Sequence, residues 1–246
     1  MPTDFLVALM LLTRLPVGRF VRGEPNLGRI VWAFPVIGLF AGALGGGVYW
    51  AGHLLGLSAW LSAGWAFGTV LVFTGAFHED GLADLADGFA GGRTAERKLE
   101  IMRDSRIGSY GALGLAWSSF VRVAALAAIG MPRAVLAAWI VTAIIGRAGM
   151  ILPLLILKPA RSDGLAASMK RVPEWSATLG LALALTAPFL LLQPVAAIIV
   201  LICGLVTSLL MTGLARWQIG GHTGDVLGAT EIAVECVVLT AMIALS

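Results

Sequence analysis

Charge is what this sequence has least of. Only 13% of its 246 residues are Asp, Glu, Lys or Arg, against roughly 25% in an ordinary soluble domain. With 59% hydrophobic residues and a mean hydropathy of +0.91, that scarcity excludes a water-soluble globule. Cysteine is almost missing as well. Cys203 and Cys236 both lie inside apolar runs, so no disulfide framework is implied and each reads as a small core residue. No polar linker interrupts the chain, which argues for one membrane domain over residues 1–246. No basic stripe with interleaved aromatics appears, so the net charge of +3 does not point to nucleic acid. A signal peptide is not recognisable either: the first arginines follow the opening apolar stretch, and no small-residue cleavage site is present.

What the chain has in abundance is long apolar runs, several of about 20 residues, enough to cross a bilayer as a helix. The expected fold is all-α, a polytopic membrane bundle of about seven spans. They fall near residues 31–53, 57–77, 109–130, 132–157, 175–192, 194–215 and 227–245, the fourth tilted or kinked at Pro153. The opening "MPTDFLVALMLLTRLPVGRF" has about a dozen apolar residues, too few to span, and predicts a short interfacial or re-entrant helix. Gly38, Gly42 and Gly46 on the first span, and Gly64 and Gly68 on the second, read as small ridges for close helix packing. Trp32, Trp50, Trp60, Trp175 and Trp217 sit near span ends, as interfacial anchors do.

The basic residues are distributed unevenly. Arg14, Arg19, Arg22 and Arg29, then Arg93, Arg97, Lys98, Arg103 and Arg106, then Lys158, Arg161, Lys170 and Arg171, and finally Arg216 all fall on one side of a seven-span chain. The opposite side has only Arg133, while Arg122 and Arg147 lie within spans. The positive-inside rule makes the rich side of this multi-pass chain cytoplasmic, with its C-terminus outside.

Three polar groups stand out against this background. The first is "GAFHEDGLADLADGFAGG", residues 75–92. On a helix Asp80, Asp84 and Asp87 share one arc about 60° wide. A solvated acidic face would bring cationic partners at i+4, and none is there. Small residues between the acids leave room for close approach, and three like charges on one face are tolerable around a divalent cation. An oxygen-only ligand set suits Mg2+, so Asp80, Asp84 and Asp87 are the candidate metal ligands. Glu79 points off the arc, and His78 reads as a ligand, a base or a helix-terminal residue without a role.

The second group, "RDSRIGSYG" at 103–111, sets two arginines around an acid and a serine just before a span. Arg103 and Arg106, with Asp104, Ser105 and Gly108, form a candidate phosphate-binding turn at a helix start. The third, "RWQIGGHTGDVLGATEIAVE" at 216–235, loosens the backbone with glycines around His222 and Asp225, the candidate bases. Glu231 and Glu235 then share one face of the last span. Acids inside a span usually mark function or a partner, and Arg122 and Arg147 are their complements. Arg147 therefore stands between structural pairing and the substrate-binding set. All three groups face the basic side, and together they describe a phosphoryl-transfer site.

These segments resemble the cobalamin synthase, or adenosylcobinamide-GDP ribazoletransferase, family. Residues 78–88 fit its His-x-Asp-Gly-x-x-Asp-x-x-Asp-Gly pattern, Arg103–Gly108 its basic-Asp-Ser-Arg-x-Gly segment, and Gly224–Ala229 its Gly-Asp-x-x-Gly-Ala segment. "TRLP" at 13–16 and "FPVIG" at 34–38 are similar too. The resemblance runs over essentially the whole chain. It implies a Mg2+-dependent inner-membrane enzyme joining adenosylcobinamide-GDP to α-ribazole or its 5′-phosphate, with GMP released. Small-molecule substrates and the lipid bilayer are then its partners, and a homo-oligomer stays open. Two other readings compete: a CDP-alcohol phosphotransferase, whose Ala-Arg after Asp-Asp-Gly is replaced here by Leu-Ala-Asp, and a cation transporter using Glu231 and Glu235.

Overall fold

The computed structural model describes residues 2–21, 25–169 and 171–245, with Leu165 described by its backbone alone. Arg22 and Lys170, which enter the charge argument above, lie outside the described residues. The described chain is helical throughout and contains no strand.

Helix α1 (Pro2–Leu12) is the short opening helix, and its 11 residues are too few to span. A 3-10 turn (Leu27–Ala33) runs into α2 (Phe34–Leu54), and α3 (Ala59–Thr74) returns. After a sharp bend come α4 (Phe77–Gly91), which carries the acidic stretch, and α5 (Ala95–Ile101). Then follow α6 (Ser109–Ile129), α7 (Pro132–Gly149), α8 (Ile151–Ile156) and the single turn α9 (Leu165–Ser168). Helices α10 (Glu174–Leu191), α11 (Pro194–Ile219) and α12 (Gly224–Ala244) complete the fold. Among the described residues, six segments are long and apolar enough to cross a membrane, and the bent α3–α4 pair makes up to seven.

Helices α7 and α12 are the most enclosed of the spanning segments. Val141, Ala143 and Ile145 of α7 meet Val234, Val238 and Leu239 of α12 in the main apolar core. The glycine stripe of α2 packs on α7 as expected: a β-carbon at Gly38 would lie 2.3 Å from the Ala143 carbonyl, and one at Gly42 2.6 Å from Ile140 Cα. The second expected ridge does not form. A β-carbon at Gly64 or Gly68 would meet nothing within 4 Å, because α3 turns that face away from its neighbours. The fourth span breaks at Met150, before Pro153. Proline lacks the N–H that would bond the Gly149 carbonyl four residues back, and its ring crowds that carbonyl.

The bend before α4 matters most for function. Gly75 (φ 67°) and Ala76 (φ 53°) both adopt left-handed backbone, and the two helix axes differ by 88°. For Ala76 that conformation costs about 1–2 kcal/mol. The turn is held from outside, where the Arg14 N–H donates to the Phe73 carbonyl at 2.8 Å. The acidic helix is thereby laid across the bundle instead of continuing the span. The basic loops meet at this same end: Lys98 bonds Gln218, Arg103 pairs with Asp163, and a backbone bridge joins Pro159 to His222.

Candidate active site

Helix α4 crosses the start of α12 at two glycines. A β-carbon at Gly81 would stand 3.0 Å from Asp225 Cα, and one at Gly228 would stand 3.1 Å from His78 Cα. Only hydrogen at both positions lets the backbones approach this closely. The crossing sets Asp80 and Asp84 of α4 within electrostatic reach of Asp225 of α12. The Gly-rich loop of 220–223 then becomes the wall of a pocket of about 170 Å3, lined by Asp80, Gly81, Arg161, His222, Thr223 and Asp225 among others. The segment from Pro159 onward forms the facing wall. It is fixed by the His222 N–H donating to the Lys158 carbonyl and the Ala160 N–H donating to the His222 carbonyl, both at 2.9 Å.

Within the pocket, the Thr223 hydroxyl donates to Asp225 Oδ2 at 3.1 Å, and Arg161 Nη2 lies 3.5 Å from the same oxygen. Burial lowers the His222 pKa below its ordinary 6.5, so the imidazole is neutral at pH 7. Its Nδ1 is buried without a hydrogen-bond partner among the described residues.

Behind the pocket lies a buried ionic cluster. Arg122 Nη1 reaches Glu79 Oε1 at 3.0 Å and Glu235 Oε2 at 3.1 Å, with its guanidinium over the Phe67 ring. Arg147 Nη1 contacts Glu231 Oε1 at 2.8 Å and Glu235 Oε1 at 3.6 Å. His78 Nδ1 stands 3.5 Å from Glu231 Oε2. These pairs tie α4 to α6, α7 and α12, so the cluster holds the acidic helix in place.

The comparisons with known proteins agree with one another. The family model described as cobalamin-5-phosphate synthase matches residues 4–243. A Bradyrhizobium diazoefficiens protein named adenosylcobinamide-GDP ribazoletransferase is 44% identical over 237 residues, 96% of this chain and 91% of its own. Proteins of the same name from Mesorhizobium japonicum (39% identical, 99% and 94% covered) and Sinorhizobium medicae (42% identical, 97% and 95% covered) are also similar. The chain belongs to the cobalamin-5-phosphate synthase family. That is an enzyme family, of transferases in cobalamin biosynthesis. No solved structure matches the chain.

Against this family's motifs, the structure brings some expected residues together and separates others. Asp80, His222 and Asp225 line one pocket, and Asp84 is a turn behind Asp80. Asp87 is engaged elsewhere: Oδ2 accepts from the Gly108 N–H at 2.7 Å and Oδ1 from the Gly111 N–H at 2.9 Å. The helix start expected to receive phosphate therefore receives Asp87, and a β-carbon at either glycine would lie 2.4 Å from its carboxylate. Arg106 is exposed and closes on Asp104 through Nε and Nη2. That pairing holds the Asp104 carboxyl down to about 2. Ser105 is exposed, and Arg103 pairs with Asp163 at the pocket's edge. Arg147 lies in the ionic cluster, 2% exposed and away from the pocket lining, so the pairing alternative describes its surroundings.

Two residues carry more here than their spacing suggested. Glu79, off the acidic arc, is the partner of Arg122. Arg161 is the arginine that lines the pocket. The signal for it was local: "KPARSDG" at 158–164 repeats the Arg, Ser, Asp and Gly content of the 103–108 segment.

Among the described residues, no three His, Cys, Asp or Glu side chains are gathered as a ready metal shell. The donor set still fits Mg2+. This ion takes one or two carboxylates and fills its octahedron with water and substrate phosphate. Asp80 and Asp84, with Asp225 opposite, offer that kind of partial, oxygen-only set. Asp87 contributes less, since both its oxygens already accept amide hydrogens.

Proposed function

We propose that this enzyme joins adenosylcobinamide-GDP to α-ribazole or its 5′-phosphate and releases GMP, with Mg2+ as cofactor, at the cytoplasmic face of the inner membrane. The observation that carries the reading is the α4–α12 crossing, which sets Asp80 against Asp225 and a neutral, buried His222 in one pocket, with Asp84 a turn behind and within electrostatic reach of Asp225. The names of the relatives supply the substrates.

In this reading a ribose hydroxyl attacks the phosphorus bearing the cobinamide. The new P–O bond forms as the bond to GMP breaks, and the hydroxyl proton passes to the Asp225 carboxylate. His222, neutral at pH 7, is the alternative acceptor. Mg2+ held by Asp80 and Asp84 would neutralise charge on the diphosphate and its leaving oxygen. Nearly all the catalysis is then positioning and electrostatics, which a rigid helix crossing supplies.

A pocket of about 170 Å3 is smaller than the roughly 300–1,000 Å3 that encloses a drug-sized ligand. It suits the diphosphate, with the corrin ring and the guanosine outside it. Meanwhile Glu231 and Glu235 are taken up by Arg147 and Arg122, which leaves little to favour a cation pathway. The test uses purified protein in nanodiscs with adenosylcobinamide-GDP, α-ribazole and Mg2+. One GMP should appear per ribazole-bearing corrinoid formed. Absence of both products, or GMP without the corrinoid, would overturn the reading.

A further inference from the structure

We propose that Arg161 is the group that binds the substrate's diphosphate. This deepens the phosphoryl-transfer reading and rests on it for the ligand's identity, while the site itself rests on geometry. The two arginines the sequence offered for phosphate are committed to acids and open to solvent. Arg106 is forked onto Asp104, with 86% of its side chain exposed, and Arg103 pairs with Asp163 at 53%. Arg161 is different on each count. Its side chain is 16% exposed, and it faces Asp80, His222 and Asp225 across the pocket.

Its bonding is incomplete in a specific way. Nη2 donates to the Leu99 carbonyl at 3.2 Å, which fixes the guanidinium. The 3.5 Å approach to Asp225 Oδ2 is longer than a charge-assisted hydrogen bond. Nε is buried and has no acceptor among the described residues. A buried donor left unmade is destabilising, and a planar guanidinium with free N–H groups matches two phosphate oxygens at once. A diphosphate entering the pocket supplies the missing acceptors. Bare carboxylates would repel it, so the anion would lie between Arg161 and the Mg2+ that Asp80 and Asp84 would hold. Asp163, which pairs with Arg103, lines the same pocket. Arg103 thus borders the entrance and can follow once Arg161 is engaged.

The test separates this site from the reaction. Binding of inorganic pyrophosphate, with Mg2+ present, is measured by calorimetry on the full-length protein in nanodiscs. Wild type should bind, and Arg161→Lys should bind at least tenfold more weakly, because lysine keeps the charge and loses the fork. Arg106→Lys should bind as wild type does. In case Arg161→Lys folds poorly, wild-type protein is also labelled with phenylglyoxal with and without pyrophosphate. Protection of the Arg161 peptide supports the site. Equal binding by Arg161→Lys, no binding by wild type, or unprotected Arg161 overturns it. GMP release is scored separately. Pyrophosphate binding through Arg161 without GMP release would refute the reaction and keep the site. Wild-type turnover in Arg161→Lys would do the reverse.

Discussion

Replacing Gly81 with alanine tests whether the helix crossing positions the reactive groups. The added β-carbon would stand 3.0 Å from Asp225 Cα and 3.1 Å from its carbonyl oxygen, whereas carbon atoms pack at about 3.5–4.0 Å. Helix α12 must therefore retreat by roughly 0.5–1 Å at the residue that opposes Asp80 and Asp84. Overpacking of this kind costs about 1–3 kcal/mol of stability. A 1 Å misplacement can lower turnover by about a hundredfold. Gly68→Ala is the control, since its β-carbon meets nothing within 4 Å. Both variants would be followed by thermal unfolding in detergent and by the kcat for GMP release. Gly81→Ala should lose between about tenfold and a hundredfold in kcat while remaining folded, and Gly68→Ala should match wild type in rate. Equal kcat in Gly81→Ala and wild type would refute the crossing as the positioning device.

Asp87→Asn removes one acceptor of the paired Gly108 and Gly111 amides, so unfolding should become easier by about 1–3 kcal/mol. Raising Mg2+ should not restore the loss, whereas rescue by Mg2+ would return Asp87 to the metal. Arg122→Met strands the Glu79 carboxylate in the interior and leaves Glu235 to the 3.6 Å contact with Arg147, and should cost about 3–5 kcal/mol; a melting temperature equal to wild type would contradict that. For His222, whose folded pKa is depressed below 6.5, only the unfolded chain gains a proton as pH first falls below 6.5. Stability is therefore lost on acidification from there until the folded pKa is passed. The melting temperature of His222→Gln, compared between pH 7.5 and pH 5.5, should fall less than that of wild type; equal falls would rule out the effect.

The bundle was legible because its signals are long and repeated: apolar runs of spanning length, the glycine stripe of α2, and one-sided basic loops. The right-angle turn before α4 was not. A left-handed Gly75 is ordinary chemistry, but a left-handed Ala76 is set by packing against the Arg14 segment, far away in sequence. The candidate pocket was legible where its lining residues lie on one helix or in one loop, as with Asp80, His222 and Asp225. Spacing identified the helix start at Gly108 as an anion site, but which anion fills it depends on α4 arriving there with Asp87. Glu79 was missed because a helical arc records direction and not what lies in that direction. Arg161 was missed for a related reason. A basic residue in a polar loop looks like every other until a backbone bridge folds that loop over a pocket.

In the proposed reaction, transfer occurs among Asp80, Asp84 and Asp225. The measurement that tests it most directly is GMP release from adenosylcobinamide-GDP by wild-type protein and Asp80→Asn, side by side in nanodiscs with Mg2+ and α-ribazole. Asp80 is exposed, so the variant should unfold at the wild-type temperature. The account predicts that its GMP release falls by at least about a hundredfold, roughly 2.7 kcal/mol of transition-state stabilisation. GMP release at the wild-type rate from folded Asp80→Asn would contradict it.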